Sequence, residues 1–171
     1  LWDVEERTYD NIEQLLDYSA RVAGSVGAMI ALVMRVKDPD VIAKACELGI
    51  AMQLTNIARD IGEDANIGRL YLPRNWLKQE GICPESFIKN PKYNDRIKRI
   101  TKRLIHYAEN FYTNSDQAIR VLPWDCRSAI FAARLIYADI GKKISHNKYN
   151  SIDNRAVVSL LRKLCLILKS Y

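Results

Sequence analysis

Cysteine and histidine are scarce in this sequence and carry no metal-binding pattern. The four cysteines, Cys46, Cys83, Cys126 and Cys165, lie far apart, and two histidines complete the set. Without a CxxC pair or a Cys/His spacing, a zinc module and a disulfide-knotted miniprotein are excluded. Cys46, Cys126 and Cys165 fall in helical apolar patterns, where a free thiol behaves as a small hydrophobe. They read as reduced, structural cysteines of a cytoplasmic protein. No signal-peptide pattern is visible, and the longest apolar stretches look too short, or too interrupted by Arg and Lys, to span a bilayer. No run alternates with period two for long enough to make a strand. Internal repeats, low-complexity segments and linker-like composition shifts are also missing. So is any zinc-finger, RNP-type or helix-turn-helix pattern, which excludes nucleic acid as the expected partner. The chain opens Leu1-Trp2-Asp3 without an initiator methionine, so a piece of a longer protein is expected.

What is present describes a globular helical protein. The 171 residues are 49% apolar and 27% charged. That is enough chain for one domain, or a large portion of one, and a chain of this size buries roughly 70% of its unfolded surface. The 26 basic and 20 acidic residues give a net charge of +6. Lys89, Lys92, Arg96, Lys98, Arg99, Lys102 and Arg103 fall close together. They read as a solvated helix face; attraction to an anionic membrane surface or to a diphosphate is the sharper alternative.

Helical punctuation organises the chain. Apolar residues recur at helical spacing from Asn11 to about Val36. Asp38-Pro39 reads as an N-cap followed by proline at the first helical position, opening a long helix to about Asp64. Residues 65–94 contain Gly68, Pro73, Gly81, Pro84 and Pro91 and predict a loop with one or two short helical turns. Further helices are expected from Asp95 to about Arg120, from Pro123 to about Ser145, and from a cap at Ser151 to about Lys169. The fold class is all-α.

The second long helix carries the chemistry. In Gln53-Leu-Thr-Asn56-Ile-Ala-Arg-Asp60-Ile-Gly-Glu-Asp64, the residues Gln53, Asn56, Asp60 and Asp64 share one face, within an arc of roughly 80°. Ile50, Leu54, Ile57 and Ile61 form an apolar stripe beside it, and Ala51, Thr55, Ala58 and Gly62 a small-residue stripe. Such a helix is enclosed on most sides, and polar groups buried there without partners would cost several kcal/mol, of order 2–7 each. A divalent cation removes that cost: carboxylates four residues apart can share Mg²⁺, for which Mn²⁺ can substitute, and Asn56 offers another hard oxygen one turn earlier. Arg59 and Arg69 either fork onto phosphate oxygens or make ordinary ion pairs with Glu63 or Asp64. In Val22-Ala23-Gly24-Ser25-Val26-Gly27, two glycines inside a helix imply close approach of a neighbouring helix or of a long apolar ligand. Tyr18 and Tyr137 are aromatics within apolar helices, as consistent with core as with a site.

These residues resemble the squalene/phytoene synthase family. The similarity rests on residues 22–27, residues 53–64, Gly68-Arg-Leu-Tyr-Leu-Pro73, Ala133-Arg-Leu-Ile-Tyr137, and Arg155-Ala-Val-Val-Ser159 with Arg162-Lys-Leu164. It runs from about Trp2 to the end and is most similar to the bacterial phytoene synthase branch. The resemblance implies an all-α trans-isoprenoid synthase (terpenoid synthase) fold around a central apolar cavity. The chain, 1–171, would be the C-terminal portion of one such domain, its N-terminal helices missing. The implied reaction joins two prenyl diphosphates head to head through a cyclopropyl diphosphate, with Mg²⁺ assisting departure of diphosphate. For two geranylgeranyl diphosphates the product is phytoene, the first step towards carotenoids.

By the same resemblance, Asp60 and Asp64 are the second Asp-rich motif and the catalytic carboxylates, and Asn56, Asp60 and Asp64 hold metal. Gln53 and Arg59 contact diphosphate; Arg69 joins the substrate-binding set on the chemistry of its guanidinium fork alone. Tyr18, Val22, Ala23, Val26 and Tyr137 line the chain-binding cavity. The family's first Asp-rich motif is expected upstream of Trp2. Leu160-Leu161 departs from the family pattern, where a small or basic residue is expected. Two alternatives stay open: squalene or dehydrosqualene synthesis from farnesyl diphosphate, and a non-catalytic homologue acting in binding or assembly. An apolar product makes peripheral attachment at the inner face of the membrane a further expectation.

Overall fold

Asp38 and Pro39 start the helix around which the other elements are arranged. Asp38 is extended and its Oδ1 accepts from the Asp40 N–H at 2.9 Å, with Pro39 in the first helical turn. Proline lacks only a donor that is unsatisfied there in any case. In the computed structural model, which describes residues 7–170, this helix (α3) runs Pro39–Asn66. It is preceded by α1 (Ile12–Ser19), a π-helical turn (Ala20–Gly24) and α2 (Ser25–Val33). It is followed by α4 (Arg74–Gln79), α5 (Pro84–Lys89), α6 (Asp95–Arg120), α7 (Trp124–His146) and α8 (Leu160–Leu168). The described residues contain no strand, as an all-α fold requires. The Leu1-Trp2-Asp3 opening lies outside the described residues.

α3 packs against α1, the π turn, α2, α5, α6 and α7. The reason is in its sequence: Leu54, Ile57 and Ile61 on one side and Ala51, Thr55, Ala58 and Gly62 on another are all buried. The stripe Gln53, Asn56, Asp60, Asp64 is half-buried, as are Ile50, Met52 and Arg59. α6 is opened by Asn94, whose Oδ1 accepts from the N–H groups of Arg96 and Ile97 at 3.0 Å each. Its inner face, from Ile97 through Leu104 to Tyr112, completes the core.

Three expectations change and a fourth is refined. The first helix is not uniform: the π turn at Ala20–Gly24 interrupts it where its backbone presses on α3. The run Ile12–Val33 is also long and apolar enough, by length and composition alone, to cross a membrane, contrary to the reading of the bare sequence. Its charges are few, and two of them, Asp17 and Arg21, pair with each other at 3.2 Å. The last helix begins at Leu160, not after Ser151. Ser159 Oγ accepts from the Arg162 N–H at 3.4 Å, whereas Ser151 lies in a loop whose carbonyl accepts from Gly62 N–H at 3.0 Å. The basic segment is largely a helix face that ties α4 to α6. Arg99 Nε donates to Glu80 at 3.0–3.1 Å, and Arg103 stacks 4.0 Å over the Trp76 ring.

Candidate active site

The glycines of α2 and α3 let the two helices touch backbone to backbone. A Cβ on Gly27 would lie 2.2 Å from Ala45 O, and one on Gly49 would lie 2.3 Å from Ala23 O. The close neighbour is therefore a helix, which decides between the two explanations for Gly24 and Gly27. Beside this crossing opens a cavity of about 370 Å³ between α2, α3, α6 and α7. Val22, Ala23 and Val26 form one wall, Leu48 and Met52 the floor, and Ile119, Leu122 and Ile130 the far side. Its polar lining includes Lys44, Gln53, Asn56 and Ser115, together with the ring of Tyr137. The largely apolar cavity thus reaches the first two members of the polar stripe.

One turn further along α3 the stripe becomes acidic. Arg59 donates to Asp60 through Nε (2.7 Å) and through a terminal nitrogen (2.5 Å). Arg155 Nε donates to Asp60 Oδ1 at 2.9 Å and lies 3.1 Å from Glu63. Burial alone would raise the Asp60 pKa, but hydrogen bonds from Arg59 and Arg155 outweigh it and hold the carboxyl below its usual range. Asp64 behaves oppositely: burial, reinforced by the charge of Asp60, pushes its pKa up to about 6. The two carboxylates are thus distinct, one neutralised by guanidinium groups and one left with unbalanced charge. Asn56 Oδ1 is buried and has no hydrogen-bond partner, an arrangement rare enough in folded proteins to require a reason.

The positions expected from sequence divide into three groups. Val22, Ala23, Val26, Gln53, Asn56 and Tyr137 line the cavity together. Arg59, Asp60 and Asp64 lie just past its end on the same helix face, Arg59 paired to Asp60 rather than to Glu63 or Asp64. Arg69 is exposed and follows the turn at Gly68, its N–H donating to Asp64 O at 2.8 Å. Tyr18 stands apart from the cavity lining: it is 3% exposed in the core, stacked on Tyr71 (5.5 Å) and tilted against Tyr9 (5.1 Å). Sequence reading missed two participants, Lys44 at the cavity and Arg155 over Asp60. Arg155 was visible only as part of a motif, and Gly62, which seats its loop on α3, was the sole local hint. Leu160 and Leu161 point outward, 73% and 76% exposed, so their departure from the family pattern disturbs no packing. All four cysteines are free thiols.

Comparison with known proteins bears on the family and the fold. The family model described as squalene/phytoene synthase matches residues 1–162. A phytoene synthase of Cereibacter sphaeroides is 52% identical over 163 residues, which are 95% of this chain and 46% of that protein. A phytoene synthase of Rhodobacter capsulatus is 47% identical over 169 residues, 99% of this chain and 50% of that protein. This chain therefore spans about half the length of those relatives. Among solved structures, a dehydrosqualene synthase in complex with ligand superposes with a TM-score of 0.85 at 31% identity, covering 98% of this chain and 59% of that one. The fold and the matched motifs lead to one conclusion: this chain belongs to the squalene/phytoene synthase family.

Proposed function

We propose that this chain is a portion of a phytoene synthase, joining two geranylgeranyl diphosphates head to head to give phytoene by way of a cyclopropyl diphosphate. The observation that carries the reading is the junction on α3, where an apolar cavity ends at Gln53 and Asn56 and the acidic stripe of Asp60 and Asp64 continues it. A prenyl diphosphate has the same two-part chemistry, and burying its chain is worth about 0.8 kcal/mol per CH₂. The names of the relatives described above support this choice of substrate.

The residues fit a divalent cation, Mg²⁺ first and Mn²⁺ in its place. Asp60, Asp64 and Asn56 offer hard oxygens on one helix face, and the unpartnered Asn56 Oδ1 is the feature that a cation would satisfy. Among the described residues no group of three or more acidic, His or Cys side chains comes together, so these residues supply one side of a coordination shell. When bound, the cation would offset the negative charge on a departing diphosphate. Gln53 and Arg59 orient the diphosphate. Val22, Ala23 and Val26 supply apolar cavity wall, the kind of lining that shelters reactive allylic cations once the site is closed to water. Substrates and products this apolar support attachment at a membrane face, and four free thiols are in keeping with the cytoplasmic side.

A second reading, squalene or dehydrosqualene synthesis from farnesyl diphosphate, is favoured by the likeness to the dehydrosqualene synthase structure. Product analysis separates them. The protein that contains this chain, supplied with Mg²⁺ and either geranylgeranyl or farnesyl diphosphate, is expected to form phytoene from the former at the higher rate. A preference for farnesyl diphosphate would reverse the assignment.

A further inference from the structure

The helix crossings give the apolar cavity a direction. Gly49 presses on Ala23 and Gly27 on Ala45, so the π turn and α2 run antiparallel to α3. α6 meets α3 at the Tyr112–Thr55 bond and lines the cavity only beyond that level, from Ser115 to Leu122. One end of the cavity is therefore at Gln53 and Asn56, where the acidic stripe takes over. The opposite end lies where α2 turns back into α3, and is formed by Met34, Val41, Lys44 and Leu122.

Lys44 is the one charged side chain in this lining. Its ammonium donates to Glu47 Oε1 at 2.8 Å, and the two side chains are 38% and 24% exposed. Glu47 Oε2 is buried without a hydrogen-bond partner. Lys44 thus carries the neutralisation of that carboxylate, and swinging its ammonium aside would strand a part-buried charge, a costly state. A fixed cation closes an otherwise apolar channel.

Its distance from the polar end matches a particular ligand. Lys44 lies roughly 18 Å from Asn56 along α3, at about 1.5 Å of rise per residue. An extended farnesyl main chain is roughly 14 Å long and a geranylgeranyl one roughly 19 Å, at about 1.25 Å of advance for each carbon–carbon bond of about 1.5 Å. A chain that starts level with Asn56 brings its fourth isoprene unit to Lys44. We propose that Lys44 is a specificity-determining residue for chain length, admitting the fourth isoprene unit and turning away a fifth. This rests on the reading of the cavity as a prenyl diphosphate site. A fifth unit would have to displace water from the ammonium while offering it no partner, which burial of a charge does not tolerate.

Three unreactive thiolodiphosphates, with farnesyl, geranylgeranyl and geranylfarnesyl chains, give the test. Each is titrated calorimetrically, with Mg²⁺ present, into the protein containing this chain. Affinity is expected to rise from farnesyl to geranylgeranyl and to fall for geranylfarnesyl. Lys44→Met keeps most of the side-chain length without the charge, and Glu47→Gln made with it leaves no carboxylate unpaired. This double variant is expected to bind the geranylfarnesyl chain about tenfold more tightly or better, within what burial of a further isoprene unit supplies. Its affinity for the farnesyl chain should not change. Lys44→Arg, which retains the charge, should retain the parent order. An unaltered order in the double variant, or an equal change for all three chains, would make Lys44 a structural residue and overturn the inference. So would a parent that binds geranylfarnesyl as tightly as geranylgeranyl. A parent that binds the farnesyl chain most tightly would instead overturn the phytoene synthase reading, and this inference with it.

Discussion

The hydroxyl of Tyr112 on α6 meets Thr55 Oγ1 on α3 at 3.0 Å, a buried bond immediately beside the polar stripe. Thr55 also binds Ala51 O at 2.8 Å, and the Tyr112 ring lies 5.3 Å from the guanidinium carbon of Arg134. Arg134 in turn grips Asp116 with two bonds of 2.7 and 2.8 Å. α3, α6 and α7 are thereby tied together behind Asn56. Tyr112→Phe removes one bond but leaves Thr55 with its backbone acceptor, so a loss of about 1 kcal/mol is expected. Tyr112→Ala also empties a core site and is expected to cost about 3–5 kcal/mol. Equilibrium denaturation measures both; equal losses would show that the ring contributes nothing beyond its hydroxyl.

Glycines that look alike in sequence should respond oppositely to alanine. Gly49 has backbone atoms of Ala23 where a Cβ would go, at 2.3 Å, so Gly49→Ala must push the π-helical turn off α3. Overpacking against rigid backbone is expected to cost about 3 kcal/mol or more and to distort the cavity floor. Gly141, inside α7, has only side-chain methyls of Ile105 nearby, at 3.7 and 3.8 Å. Gly141→Ala meets ordinary contacts and gains helix propensity, so it is expected to stabilise by up to about 1 kcal/mol. Thermal melts of the two variants give the signs directly.

Local signals account for what was legible in the sequence, and long-range contacts for what was not. Asp38-Pro39 and Asn94 place helix starts because a cap is decided within three residues of itself. The α3 stripes were readable because helical periodicity alone sorts Leu54 and Ile57 from Asn56 and Asp60. Ser151 and Ser159 are equally good caps locally; Ser151 loses because Gly62, far away in the chain, takes its carbonyl. Tyr18 could be assigned to core only once Tyr71 was known to stack on it. Arg155 reached the site through the same loop that misled the reading of Ser151.

Asp139 and Arg162 give the chain a predictable acid response. Arg162 donates to both Asp139 oxygens at 2.8–3.3 Å, linking α7 to α8. These bonds, opposed by burial and helped by Lys142 and Lys143, hold the Asp139 pKa below its ordinary 3.8. A depressed carboxyl pKa contributes stability that is fully present above the unfolded value and is lost as pH falls through the folded one. Asp139→Asn should therefore melt below the parent at neutral pH, and the gap should close as pH drops below about 4. A gap that persists undiminished well below about 3 would show that the contact does not depend on the Asp139 charge.

Asp60 and Asp64 should be alike in activity and unlike in stability. If both hold a cation, Asp60→Asn and Asp64→Asn each remove a charged ligand and should lower turnover by about a hundredfold or more. Their structural partners differ. Asp60 neutralises Arg59 and Arg155, so Asp60→Asn leaves two guanidinium groups without their counter-charge. A loss of about 1–2 kcal/mol is expected, moderated because Arg155 can turn to Glu63. Asp64 has no ion pair of comparable quality and sits under the repulsion of Asp60, the cause that joins burial in raising its pKa to about 6. Asp64→Asn should then be neutral or stabilising by a few tenths of a kcal/mol, about 0.2–0.5, the usual relief of a like-charge pair one turn apart. Stability sacrificed for chemistry is the mark of a functional carboxylate. Denaturation and turnover measured on the same two variants check this: an Asp64→Asn protein that lost stability but kept its activity would make Asp64 a structural residue and leave Asp60 without its partner.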